Sequence, residues 1–196
     1  LTPPESLRPH TYRTLLGLLY STGLRIGEAL ALNLEDFHAP EQRLFVTAGK
    51  FHKARWIALA PSTTLALETY LAHRTLCAPS VPDAPMLLNL RGRRLHQCTI
   101  NHDFHRLLAH CGIDRQHGAA RVHDLRHTFA VDRLLTWYRE GRDVNALLPV
   151  LATYMGHVDI RSTRVYLRPT AELLAAVNTR FRDHFLQLVK PQGGRS

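Results

Sequence analysis

Cysteine, lysine and long apolar runs are all scarce in this sequence, and each scarcity removes a class of protein. The 196 residues hold three cysteines, Cys77, Cys98 and Cys111. An odd count with no secretory pattern at the start does not make a disulfide framework, and the expectation is reduced thiols in the cytoplasm. No run approaches the roughly 18 apolar residues that a membrane helix needs, so no membrane partner is expected. No internal repeat or low-complexity tract is visible, which sets aside solenoids and tails. Methionine is missing from position 1, where Leu1 stands. This leads us to expect a segment, or a shortened version, of a longer protein.

What is present is arginine. Basic residues number 25 against 16 acidic ones, for a net charge of +9. Lysine accounts for only Lys50, Lys53 and Lys190 of these. A balance of this size favours a polyanionic partner, most often nucleic acid, over the plain alternative of a basic protein with no such role. Apolar residues make up 45% of the chain, enough for one domain with a full core, with or without appendages.

Periodicity predicts a mostly helical fold with one small antiparallel sheet, an α+β chain. LTPPESLRP reads as a linker, with Ser6 as a cap. Apolar positions from about His10 to Tyr20 follow a helical period, and Ser21-Thr22-Gly23 breaks it before a short helix at about 24–32. RLFVT (43–47) and RWIAL (55–59) read as a hairpin whose tip, AGKFHKA, is basic. Pro61 opens a further helix. Residues 77–96, with prolines at 79, 82 and 85, read as irregular. Helices are expected around 98–111, at 123–139, about 143–154, 160–167 and 170–189.

The stretch RVHDLRHTF (121–129) poses a choice between a metal and a phosphate. His123 and His127 would share a helix face, as in the HExxH zinc motif. Against that, Arg126 lies beside the same face, and a permanent guanidinium repels a divalent cation. Asp124 is one carbon shorter than the glutamate that motif uses, and no clear third ligand follows. Cys98, His102, His105 and Cys111 have ligand atoms, but their spacing fits no common zinc pattern. They read better as positions on an amphipathic helix.

A phosphate is served by different parts. Breaking a phosphodiester without metal needs donors for the charge developing on the non-bridging oxygens, and arginine supplies two in one plane. It needs a nucleophile and an acid for the leaving 5′ oxygen. A tyrosine nucleophile would conserve the bond energy as an aryl phosphate, so neither ATP nor any other cofactor is required. The parts are here: Arg25 in STGLRIGEALAL, Lys50 and Lys53 at the hairpin tip, His123 and Arg126 in HDLRH, and His157 and Tyr166 in YMGHVDIRSTRVYL. Singly, each has a plainer reading: a surface arginine paired with Glu28, solvated turn lysines, a helix-capping histidine, a half-buried tyrosine. A chance meeting of all of them in order is the weaker explanation.

Together these motifs resemble the tyrosine recombinases, the family of phage integrases and of Xer and Cre proteins, from about residue 10 to about 170. TGLR-x-x-E-x-L-x-L is similar to the first arginine box, H-x-L-R-H to the second, and GH-x-D followed by T-x-x-Y-L to the third. The resemblance implies the family's catalytic-domain fold and a site-specific recombinase or integrase. Such an enzyme cuts and rejoins double-stranded DNA through a 3′-phosphotyrosyl intermediate and a Holliday junction, without metal or ATP. It implies Arg25 and Arg126 on the scissile phosphate, Lys50 or its rival Lys53 as general acid, and His123 in phosphate contact or proton transfer. It further implies His157 bonded to the phosphate, Tyr166 as nucleophile and Glu28 as a residue that orients Arg25. It carries the expectation of a homotetramer on DNA, in the cytoplasm and on the nucleoid when bound.

The implied organisation is a linker at 1–9 after an absent DNA-binding domain, a catalytic domain at 10–189 and a tail at 190–196. The thirty residues between Arg126 and His157 exceed the Xer-like spacing, which tilts the likeness toward integrases of mobile elements. The extra chain is expected in the helix after HDLRH or the loop that follows. The apolar stripe at 173–188 could pack on its own domain or on a neighbouring subunit. Rival readings are a non-catalytic DNA-binding protein on the same fold, a type IB topoisomerase and a zinc hydrolase.

Overall fold

The computed structural model describes residues 6–47, 54–113 and 120–156. It divides into two compact units: the first holds the chain through Phe129 together with Tyr154–Gly156, and the second includes Ala130–Thr153. The helices expected at 160–167 and 170–189 lie outside the described residues, as does the hairpin tip at 48–53.

In the first unit, helix α1 runs Leu7–Thr22, three residues longer at its start than its periodicity suggests. Ser6 caps it as expected, its hydroxyl accepting from the Arg8 N–H at 3.4 Å. Leu7, Thr11, Thr14, Leu15, Leu18, Leu19 and Thr22 form the buried stripe. Gly23 ends the helix at φ 64°, and its N–H donates to the Leu19 carbonyl at 3.0 Å. That left-handed conformation favours glycine. A side chain there would also run into the Phe129 ring, 2.4 Å from where a Cβ would stand. Helix α2 (Ile26–Ala31) follows at once, so the T-G-L-R run is the corner between two helices.

After a 3₁₀ turn at Leu34–Asp36 come strands β1 (Phe37–His38), β2 (Arg43–Val46) and β3 (Arg55–Ala58), an antiparallel sheet in the order β1-β2-β3. The register pairs Leu44 with Ile57 and Val46 with Arg55. The hairpin was legible in the sequence; β1, only two residues long, was not. Leu44, Val46 and Ile57 are buried on one face, while Arg43 lies over the exposed Trp56 ring on the other, 4.0 Å from its centroid.

Helix α3 (Pro61–Thr75) starts on the expected proline and packs on α1. Thr11 of α1 sits 3.3 Å from the Tyr70 hydroxyl of α3, which accepts from the Leu88 N–H at 3.1 Å. The irregular 77–96 stretch therefore still feeds the core, with Met86, Leu87 and Leu88 buried. Arg74 holds it, its buried guanidinium donating to the Pro79 carbonyl at 3.0 Å and to the Pro85 carbonyl at 2.9 and 3.1 Å. Helix α4 (Gln97–His110) is tied to α1 through Asp103, which accepts from Tyr12 and, at 2.7 Å, from Arg8.

Helix α5 (Asp124–Arg139) begins in this unit, with the Asp124 carboxylate accepting the Arg121 N–H at 2.8 Å. In the second unit α5 buries Ala130, Leu134 and Leu135. Gly141, at φ 71°, stops it, with the Arg142 N–H reaching the Trp137 carbonyl at 2.9 Å. Asp143 then caps α6 (Val144–Met155), accepting from Asn145 N–H at 2.9 Å. The segment between the second and third motifs is thus the remainder of α5, a glycine stop, an aspartate start and α6. Val144, Leu148, Leu151 and Ala152 are buried along α6.

Candidate active site

Arg25 sits at the N-cap of α2, in extended conformation, directly after the Gly23 corner. Its backbone N–H donates to Glu28 Oε2 at 2.8 Å, one half of a capping box. Its side chain donates to Glu28 Oε1 at 3.1 Å and to the Gly156 carbonyl at 3.0 Å. Helix geometry alone places Glu28 one turn on, so the pairing follows from the R-x-x-E spacing.

Arg126, in the first turns of α5, is 1% exposed. One terminal nitrogen donates to the Gly23 carbonyl at 2.6 Å and the other to the Met155 carbonyl at 2.7 Å. It therefore joins the corner that positions Arg25 to the end of α6. The two arginines read as equals in the sequence are not equals here. Arg25 keeps 29% of its side chain exposed and spends two of its N–H groups on partners, whereas Arg126 is buried.

A third guanidinium, not anticipated, completes the group. Arg55 of β3 donates from both terminal nitrogens to Glu28, each at 3.0 Å, and from Nε to the Tyr154 carbonyl at 2.8 Å. Gly156 makes room for it: a Cβ there would stand 2.7 Å from Arg55 Nη1, and its φ of 66° already favours glycine. A signal existed. Arg55 shares a strand face with Ile57 and Leu59, and a charge in a buried register demands a partner.

The last turn of α6 leaves carbonyls that the helix cannot satisfy, and it carries the negative end of the helix dipole. Three arginines answer both needs on Tyr154, Met155 and Gly156. Among the described residues, Glu28 is the one carboxylate bonded to them. Burial pushes its carboxyl up, but hydrogen bonds from Arg55 and from the Arg25 N–H, with both positive charges, outweigh this and hold it below the usual range. Among the described residues the group keeps a surplus of positive charge.

His123 lies just before α5, one turn from Arg126, with an exposed ring. What burial it has, then the charge of Arg126, with lesser contributions from Arg121 and Arg25, lowers its pKa despite the opposing pull of Asp124. This favours the neutral imidazole, the form able to accept a proton. His127 is exposed on the same helix face. Among the described residues no three His, Cys, Asp or Glu side chains could hold a metal ion. The structure thus brings Arg25, His123 and Arg126 together. Lys50, Lys53, His157 and Tyr166 lie outside the described residues.

Comparison with known proteins places this geometry in context. A family model described as the phage integrase family matches residues 3–172. The putative integrase/recombinase y4rE of Sinorhizobium fredii is 39% identical over 175 residues, covering 89% of this chain and 56% of the relative. The tyrosine recombinase XerC of Agrobacterium fabrum is 36% identical over 162 residues, 82% of this chain and 47% of the relative. The chain spans about half the length of these curated relatives. Among solved structures, the XerH site-specific recombinase bound to palindromic difH substrate, a post-cleavage complex, superposes with a TM-score of 0.63 at 25% identity. The match covers 85% of this chain and 44% of that one.

Proposed function

Because this chain belongs to the phage integrase family, we propose that it is the catalytic domain of a site-specific recombinase that cuts and rejoins double-stranded DNA through Tyr166. The observation that carries the reading is the arginine group on the end of α6. Two guanidinium ions, of Arg25 and Arg55, share the Glu28 carboxylate, a third, of Arg126, holds the Gly23 and Met155 carbonyls, and Arg25 retains N–H groups and exposure for an incoming anion. Preorganised donors of this kind stabilise charge on the non-bridging oxygens of a pentacoordinate phosphate.

The proposed step balances as follows. The Tyr166 oxygen attacks phosphorus, the bond to the 5′ oxygen breaks, and a 3′-phosphotyrosyl ester forms. The tyrosine proton passes to a base, for which neutral His123 is suited. The leaving 5′ oxygen takes a proton from Lys50, or from Lys53 on the same loop. His157, which follows Gly156 in the sequence, donates to the phosphate. Attack by a 5′ hydroxyl of a partner strand reverses the step, and two such exchanges pass through a Holliday junction. The ester conserves the bond energy, so no ATP is needed, and the arginines take the charge-stabilising role that a metal could otherwise fill. Two duplexes exchanging two strands each call for four copies of the site, a homotetramer. Association with the nucleoid follows from the DNA substrate.

Covalent trapping tests this. The protein is mixed, in EDTA, with nicked suicide duplexes from a randomised pool and from the DNA flanking its gene, beside Tyr166→Phe. A protein–DNA adduct that survives denaturation and vanishes in Tyr166→Phe is expected. Retarded but uncleaved DNA with both proteins would favour a non-catalytic DNA binder on this fold.

A further inference from the structure

We propose that Arg55 is a positioning residue for this reaction: by engaging both oxygens of Glu28 it keeps that carboxylate from neutralising Arg25. The inference rests on the reading of Arg25 as a phosphate donor. Glu28 receives four hydrogen bonds on two oxygens. Arg55 supplies one to each oxygen in the parallel fork that guanidinium and carboxylate form best. Arg25 contributes its backbone N–H and a single side-chain bond, and turns its other terminal nitrogen to the Gly156 carbonyl.

The division of labour follows from burial. The Arg55 and Glu28 side chains are 12% and 11% exposed, so their attraction is little screened. Arg55 is fixed from behind by the carbonyls of Tyr154 and Met155, and Gly156 leaves the space it occupies. With Arg55 gone, Glu28 would be a buried carboxylate with Arg25 as its one cationic partner among the described residues. It would draw the Arg25 guanidinium into a closed pair, turned from solvent and with its charge cancelled. Arg55 does not itself touch substrate; it sets the charge and aim of a residue that does.

The test is a charge-coupling cycle on the intact chain, read by single-turnover adduct formation and, separately, by DNA affinity. Arg55→Gln is expected to slow adduct formation about 10–100-fold, within the range for loss of one preorganised donor, while affinity changes by less than about threefold. Arg55→Lys keeps the charge without the fork and should fall between. Adding Glu28→Gln to Arg55→Gln removes the unpaired carboxylate and should recover at least tenfold of the lost rate. A residue that only braces the fold would make the double variant as slow as the single, or slower. That result, or an unchanged rate in Arg55→Gln, overturns the inference.

Should Arg55→Gln fail to fold, the double variant, which carries no unpaired buried charge, decides alone. A rate within about tenfold of the wild type supports the proposal, and less than about a hundredth of it refutes it. The rise in unfolding temperature produced by inorganic phosphate gives a readout that needs no cleavage. It should shrink in Arg55→Gln and return in the double variant. If the wild type forms no adduct, the recombinase reading fails, and the phosphate series still judges Arg55.

Discussion

Two sets of arginines in this molecule do similar local work and differ in how much of their charge stays accessible. Around the proline-bearing stretch, Arg74 closes the Pro79 and Pro85 carbonyls, and Arg94 closes those of Leu30 and Leu32 with Asn33 Oδ1. Arg74 is 1% exposed, and burial lowers its pKa against a smaller opposing effect from Tyr70. Around the end of α6, Arg25, Arg55 and Arg126 also close carbonyls, but a carboxylate is threaded among them and one guanidinium faces outward. The first set is consumed by the fold. The second uses the fold to hold charge in reserve. A net charge of +9 therefore overstates what is available to a polyanion, because part of it is internal stapling.

The comparison breaks most sharply at Arg126. Arg126→Ala should lower adduct formation by at least about 10²–10³. It should also lower the unfolding temperature, because the Gly23 and Met155 carbonyls lose their donor. Arg25→Ala should lose a similar factor in rate with a smaller fall in unfolding temperature, since its side chain is partly exposed. Near wild-type cleavage in either variant would contradict the assignment.

Next comes Arg74→Ala. It should cost about 1.5–3 kcal/mol of stability, the range for hydrogen bonds that involve a charged group. Cleavage per folded molecule should not change. Slower chemistry below the unfolding temperature would show that the two sets are not separate.

The smallest effect is a pH dependence. The Glu28 carboxyl is held below its usual range, so the unfolded state binds its proton more readily. Its contribution to stability is present above the unfolded value, near pH 4.3, and is lost as pH falls through the folded one. Glu28→Gln should therefore flatten the acid limb of the unfolding-temperature profile while leaving the alkaline limb unmoved. An unchanged acid limb would mean that the ion pairs on Glu28 do not stabilise the fold.

Local chemistry accounts for what could be read in advance. Gly23, Arg25 and Glu28 lie within six positions, and their roles as corner, N-cap and partner follow from helix geometry. The α5 motif was equally readable, since His123 and Arg126 are one turn apart. Arg55 was obscured because its partners lie 27 and about 100 residues away, across a sheet whose first strand has only two residues. The core role of Met86–Leu88 was hidden for a similar reason. Prolines marked the stretch as irregular, and the Arg74 clamp that makes an irregular stretch buryable has no local signature. The difference in exposure between Arg25 and Arg126 is likewise a product of packing.

The acceptors that gather the site's arginines have a consequence for how this protein can vary. Five of the side-chain bonds from Arg25, Arg55 and Arg126 end on main-chain oxygens, of Gly23, Tyr154, Met155 and Gly156. A main-chain oxygen persists whatever residue carries it. Tyr154 and Met155 can therefore be exchanged in a lineage without deleting a single acceptor, provided the backbone path is kept. The two glycines cannot, because they are the path. Inheritance at this site should thus be strict at the two glycines and the arginine donors, while at Tyr154 and Met155 packing, and not the hydrogen bonds, sets what is allowed.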